Sequence, residues 1–154
     1  MKKRTVPLPA RAATKSKELD TDRRLAAALA RGRRIRKRLR AAEGGSISLA
    51  EAAARLRISA GTVLRWYHGG KIIGWKEREK VRFPVWQFIG GNVLPGLAEV
   101  LALADKGWEL IGDDGRMVFL LSHSRVLNGR RPLDLLRQGD VESVKKAVLY
   151  HLWP

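Results

Sequence analysis

Along residues 46–88 the apolar positions recur at helical spacing, break, recur at that spacing again, and then alternate with cations. Leu49, Ala52, Ala53 and Leu56 fall on one face of a helix that the Ser48 hydroxyl can cap, with Glu51 three residues on to close a capping box. Arg57-Ile58-Ser59 interrupts the pattern. A second cap at Ser59 opens a helix from Ala60 to Tyr67, in which Val63 and Tyr67, or Leu64, point inward while Ala60, Gly61, Thr62 and Arg65 point outward. Past His68-Gly69-Gly70, residues Lys71 to Phe83 alternate apolar and cationic around Lys76-Glu77-Arg78-Glu79-Lys80, the pattern of a two-stranded basic wing with a solvated tip.

The same periodicity predicts further elements. A helix runs from about Asp20 through Leu25, Leu29, Ile35 and Leu39 to Gly44-Gly45, with a thin apolar stripe and many cations. Pro84 to Ile89 reads as a short helix. Pro95 can open another to about Ala104, with Leu97, Val100, Leu101 and Ala104 on one side. Trp108–Ile111 and Met117–Leu121 flank Gly112-Asp113-Asp114-Gly115, as either a second short hairpin or a pair of short helices. The last helix, about Val141 to Leu152, aligns Val141, Val144, Val148 and Leu152, with Lys145 and Lys146 outside. The fold class is therefore mainly α: a helix-turn-helix with a small β wing, then a compact helical C-terminal domain. The expected division is a disordered basic tail over 1–17, a basic helix over 18–45, a winged segment over 46–90 and a partner-binding domain over 91–154.

Charge adds a direction to this pattern. The 154 residues carry a net charge of +16, placed unevenly: 15 cations and 4 anions over Met1 to Gly45, 8 and 3 over Ser46 to Gly90, and 8 of each from Gly91 on. A nucleic-acid partner accounts for the first two thirds, since every neutralised phosphate releases counterions. The slim start of the second helix can approach base edges, and Arg65 one turn later can reach a guanine or a phosphate. The expected DNA contacts are Ser59, Ala60, Gly61, Thr62 and Arg65 on that helix, with Lys71, Lys76, Arg78, Lys80 and Arg82 on the wing. With no cysteine and three scattered histidines, no metal site and no cofactor is expected. No apolar run approaches the roughly 18 residues of a membrane span, and no secretion-type core segment follows the first cations, so a cytoplasmic protein is expected.

The winged segment resembles the excisionase and MerR-like winged helix-turn-helix. The likeness is carried by Ser48-Leu49-Ala50-Glu51-Ala52-Ala53, Ile58-Ser59 with Thr62-Val63 and Arg65-Trp66, Gly70-Lys71-Ile72, and Arg82-Phe83-Pro84. It differs at the wing tip, where that family usually has a glycine-containing turn.

In the electrically neutral third, Asn128-Gly129 makes a turn, Pro132 begins a short helix that buries Leu133 and Leu136, and Gly139 stops it before Asp140 caps the last helix. The string Leu127, Gly129, Arg130, Pro132, Leu133, Leu135, Leu136, Gly139 and Asp140 resembles the toxin-binding domain of Xre/MbcA/ParS antitoxins. The resemblance implies an antitoxin that occludes a RES-domain, NAD-degrading toxin through this region and represses its own operon through the N-terminal part. The partner contacts it suggests are Arg130, Arg131, Pro132, Leu133, Leu152 and Trp153. For Arg130, plugging a toxin pocket and tying the Gly139-Asp140 turn to the loop are equal readings. Trp153 either folds back on its own core or inserts into a partner.

No catalytic residue is expected: the pairs Asp113-Asp114 and Glu77-Glu79 lie in turns without a base partner, and Ser122-His123-Ser124 are sequence neighbours that point apart. Two rivals to the antitoxin stand. One is a regulator or recombination directionality factor whose neutral third makes a homodimer; the other is an RNA-binding protein using the basic tail. A homo-oligomer is expected.

Overall fold

The computed structural model describes residues 10–103, 107, 112–152 and 154. The chain divides into two units, Met1–Lys37 and Arg38–Pro154. Helix α1 (Ala10–Ala41) supplies the first and runs on into the second. It starts ten residues before the position that the apolar stripe indicates, so residues 10–17 are helical and not tail. The reason is propensity: this stretch is rich in Ala, Lys and Arg, which favour helix without needing a face to bury. Residues 1–9 of the expected tail lie outside the described residues.

The second unit is mainly helical with small antiparallel sheets. Strand β1 (Ser46–Ser48) leads into α2 (Leu49–Leu56) and α3 (Ala60–His68), followed by β2 (Trp75–Glu77) and β3 (Lys80–Pro84). The wing is three-stranded, in the order β1-β3-β2, with Ile47 opposite Phe83 and Trp75 opposite Arg82. The three-residue strand β1, too short to show alternation, carries no signal of its own in the sequence. A 3-10 turn, Val85–Gln87, replaces the short helix expected over Pro84 to Ile89 and leads to a second hairpin of β4 (Phe88–Ile89) and β5 (Asn92–Val93). Then come α4 (Leu97–Leu103), α5 (Gly112–Leu121), α6 (Pro132–Arg137) and α7 (Val141–Leu152).

The hairpin option over 108–121 fails for residues 112–121, which form α5; residues 108–111 lie outside the described set. Met117 and Leu120 are buried three apart, and Asp113 and Asp114 sit in the first turn, where the helix dipole favours carboxylates. A run of five apolar residues does not by itself separate helix from strand.

Two hydrophobic cores form. Ile47, Ala52, Leu56, Val63, Ile72, Phe83 and Phe88 make one, beneath α2 and α3. The other joins Ile73, Trp75 and Trp86 to Leu94, Leu97, Val100, Leu101, Met117, Leu120 and the buried residues of α6 and α7. Cross-strand partners share a face, so the sheet presents Ile47 and Phe83 to the first core and Trp75 to the second. Ile72 and Ile73 likewise enter different cores. Residue 90 is therefore not a domain boundary: the C-terminal helices close over side chains supplied before it. Gly96, with φ +84, sits where a β-carbon would lie 2.4 Å from Val141 Cγ2, so its lack of a side chain lets the starts of α4 and α7 meet. Among the described residues no helix is long and apolar enough to cross a membrane.

Candidate nucleic-acid interface

The local chemistry of α2 and α3 sets the site. Ser48 Oγ accepts the amide of Glu51 at 3.1 Å and donates to its carboxylate, also at 3.1 Å, so the carboxylate accepts from the hydroxyl and not from the Ser48 backbone amide of a full capping box. Ala52 and Leu56 are buried, with Leu49 and Ala53 against the same core. Arg57 closes α2 in the left-handed conformation, φ 54. Ser59 then caps α3 by accepting the amide of Thr62 at 3.1 Å.

From that cap a polar chain runs along the exposed edge of α3. Ser59 Oγ and Thr62 Oγ1 are 2.8 Å apart, and Arg65 Nη2 donates to Thr62 Oγ1 at 3.0 Å. Ala60, Gly61 and Arg65 are exposed, and Thr62 is half-buried. Beneath them Val63 is fully buried and Tyr67 packs edge-on against Phe83, ring centres 5.9 Å apart. Burial also raises the Tyr67 phenol above its usual value. The slim start of α3 is thus solvent-facing, and its guanidinium is aimed by its own helix. Gly74 permits the close packing beside it: a β-carbon there would lie 3.0 Å from Tyr67 Cδ2 and 3.0 Å from the Arg82 carbonyl.

The wing carries most of its expected cations outward. Lys71, Lys76, Arg78 and Lys80 are exposed. Glu77 and Lys80 face each other across the strands, and Arg78-Glu79 form the two-residue turn with φ 49 and 67, the geometry of a primed hairpin turn without its usual glycine. Arg82 departs from expectation. It is half-buried, and its Nε and Nη2 donate to Ser46 Oγ at 3.1 Å and to the Ser46 carbonyl at 2.8 Å. It fastens β1 to β3, a role that depends on a residue 36 positions away.

The expected partner contacts of the C-terminal part divide. Arg130 is exposed and donates from Nε to the Leu127 carbonyl at 3.3 Å. Pro132 and Leu133 are buried in the protein's own core, so neither is available to a partner; the motif positions the loop and helix α6. Arg131 is committed within the chain. It grips Asp134 with two bonds, at 2.7 and 2.8 Å, and donates to Glu43 at 2.8 Å, while Arg137 reaches the other Glu43 oxygen at 3.1 Å. These guanidiniums hold the Glu43 and Asp134 carboxyls below their usual range, and the Asp134 and Glu43 carboxylates in turn raise Arg131. Leu152 is partly buried against the second core, and Trp153 lies outside the described residues.

Asn128 and Gly129 turn the chain with positive φ, Pro132 opens α6, and Asp140 Oδ1 accepts the amide of Ser143 at 3.2 Å. The bonds from Ser143 draw the Asp140 carboxyl downward.

Two features have no signal in the sequence. Gln87, fully buried, donates to the Ile73 carbonyl at 2.7 Å and accepts its amide at 2.8 Å, as a strand would. A half-buried charged group, Asp113, Asp114, Arg116 and Arg40, lies at the start of α5 where a solvated turn is expected. There Arg40 stacks on Trp75 at 4.8 Å, and burial raises Asp113 against the opposing pull of Arg116. Outward from α5 and α7, Val118, Phe119, Val126, Ala147, Tyr150 and His151 line an apolar groove of about 460 Å³. Among the described residues no three metal-binding side chains come together.

No family model matches the sequence, and no curated protein matches it. Among solved structures, the fold is similar to the NMR structure of Rv2175c, at 18% identity over 73% of this chain and 84% of that one, with a TM-score of 0.60. At that identity the likeness speaks for the fold alone.

Proposed function

We propose that this protein is a DNA-binding regulator of its own operon that also holds a protein partner through its C-terminal helices, as an antitoxin holds a toxin. The observation that carries the DNA-binding part is the exposed edge of α3. The Ser59 cap, Ala60 and Gly61 leave room for a groove, and the Ser59–Thr62–Arg65 chain aims a guanidinium outward above a buried Val63. The exposed wing cations Lys71, Lys76, Arg78 and Lys80 supply backbone contacts beside it.

The partner reading is supported by the antitoxin-like string Leu127 to Asp140 and by the apolar groove nearby, where Val118, Val126 and Tyr150 are 42–58% exposed. A RES-domain, NAD-degrading toxin is the partner that the resemblance suggests. The contact set differs from the sequence-based one: Arg130, Val118, Val126 and Tyr150 stand at the surface, while Arg131, Pro132 and Leu133 maintain the fold.

The test uses the full chain and DNA from upstream of its own gene. Arg65→Ala is expected to reduce the preference for that DNA over a scrambled duplex by about 1–3 kcal/mol while co-purification with the neighbouring gene product persists. Tyr150→Asp with Val118→Asp is expected to do the reverse. If Arg65→Ala leaves the preference intact, α3 is not the reading helix; if the neighbouring product neither binds nor is silenced, the antitoxin reading falls and a DNA regulator stands.

A further inference from the structure

The basic half of α1 belongs neither to the edge of α3 nor to the wing. Helix α1 has 12 cations and 3 anions, and from Arg31 to Arg40 seven of ten residues are cationic with no carboxylate among them. At 3.6 residues per turn Arg31, Arg33, Arg34, Arg36, Lys37, Arg38 and Arg40 spread over about 220° of the helix circumference, leaving Ile35 and Leu39 in the remaining arc. None of the 32 residues is buried. Leu25, Leu29, Ile35 and Leu39 do form an apolar strip over about a third of the circumference, but Arg36 falls within it, between the azimuths of Leu25 and Leu29.

This arrangement selects among partners. A second copy of α1 seated on the strip would put Arg36 in the apolar seam, against its own kind in a parallel pair and against Leu25 to Ala28 in an antiparallel one. A membrane surface would require a broad apolar half, which Arg31 to Arg40 lacks. A duplex groove has phosphates along both walls and suits a helix whose cations cover well over half of its circumference. We infer that α1 is a second, sequence-independent contact that binds the sugar-phosphate backbone of duplex DNA, distinct from the reading edge of α3. The inference builds on the DNA-binding reading above and divides its labour: α1 sets affinity, and α3 sets choice.

The test is fluorescence anisotropy on two labelled duplexes, one from upstream of the gene and one scrambled, with a matched RNA duplex, from 50 to 200 mM salt. The variant R31A/R33A/R34A/K37A keeps helix propensity, leaves Arg38 and Arg40 in place, and is checked by circular dichroism and thermal melting. Loss of four phosphate contacts is expected to reduce the slope of log affinity against log salt by about 3–4, and to weaken both DNA duplexes equally. L25A/L29A/I35A is expected to keep the wild-type slope.

A wild-type slope in the cation variant, a changed preference between the duplexes, a binding loss tracking loss of a dimer in sedimentation, or tighter binding to the RNA duplex would each overturn the inference. Arg65→Ala separates the two readings: if it alters nothing while the cation variant loses slope, α1 stands and α3 does not. If the wild-type chain binds no duplex at 50 mM salt, both fall.

Discussion

Gln87 joins the two cores through a single backbone position. Its amide completes both hydrogen bonds of Ile73, between residues that enter different cores. Replacing it with leucine keeps most of the volume and strands two buried backbone groups, each worth about 1–3 kcal/mol. Gln87→Leu is expected to lower unfolding free energy by about 2–5 kcal/mol in urea titration; a loss under about 1 kcal/mol would mean that the amide is dispensable. In the sequence, Gln87 is one polar residue in an apolar run, with no period to mark it. Arg82 and Arg131 show the same limit. A cation is visible in the sequence, but whether it faces outward depends on partners such as Ser46 and Glu43, 36 and 88 residues away.

At the scale of elements, caps were legible because they act within three or four residues. Ser48, Ser59 and Asp140 all cap as their spacing implies, and α7 spans Val141–Leu152 as its apolar period implies. The wing tip was legible as a turn but not in its geometry. Arg78 and Glu79 both hold positive φ, which costs residues with side chains about 1 kcal/mol or more each. R78N/E79G is expected to stabilise the chain by about 1 kcal/mol, raising the melting temperature by roughly 2–5 °C. No rise would place the turn in another conformation. Helix α5 was ambiguous because five consecutive apolar residues suit either structure, and only the burial of Met117 and Leu120 against α4, α6 and α7 selects the helix.

For the whole molecule, the unit Arg38–Pro154 is closed by contacts that ignore the charge boundary near residue 90. A fragment of residues 91–154 lacks Ile73, Trp75 and Trp86 and is expected to show no cooperative melting, whereas 38–154 keeps the transition of the full chain. A cooperative transition in the short fragment would contradict the shared core. Glu43, in the link from α1 to β1, is tied to α6 by Arg131 and Arg137, which hold its carboxyl below the ordinary 4.5. A carboxyl depressed in the folded state adds stability that is complete above its unfolded value and disappears as pH falls through the folded one. Stability should therefore decline below about pH 4.5. Glu43→Gln is expected to be less stable at pH 7 by about 1 kcal/mol and to lose less between pH 5 and 3. Equal pH profiles for the two proteins would sink this assignment. Asp113, raised by burial, shifts stability the opposite way, and comparison with Glu43→Gln cancels it.

The sequence by itself determined the helices that cap and terminate locally, the helix-turn-helix order and the concentration of charge in the first two thirds, because each is set by neighbours within a few turns of chain. Only the tertiary structure decided that β1 completes the wing, that Trp75 and Trp86 serve the C-terminal core, and which cations are spent internally. Those outcomes depend on residues distant in the chain meeting at one place, which no local period encodes.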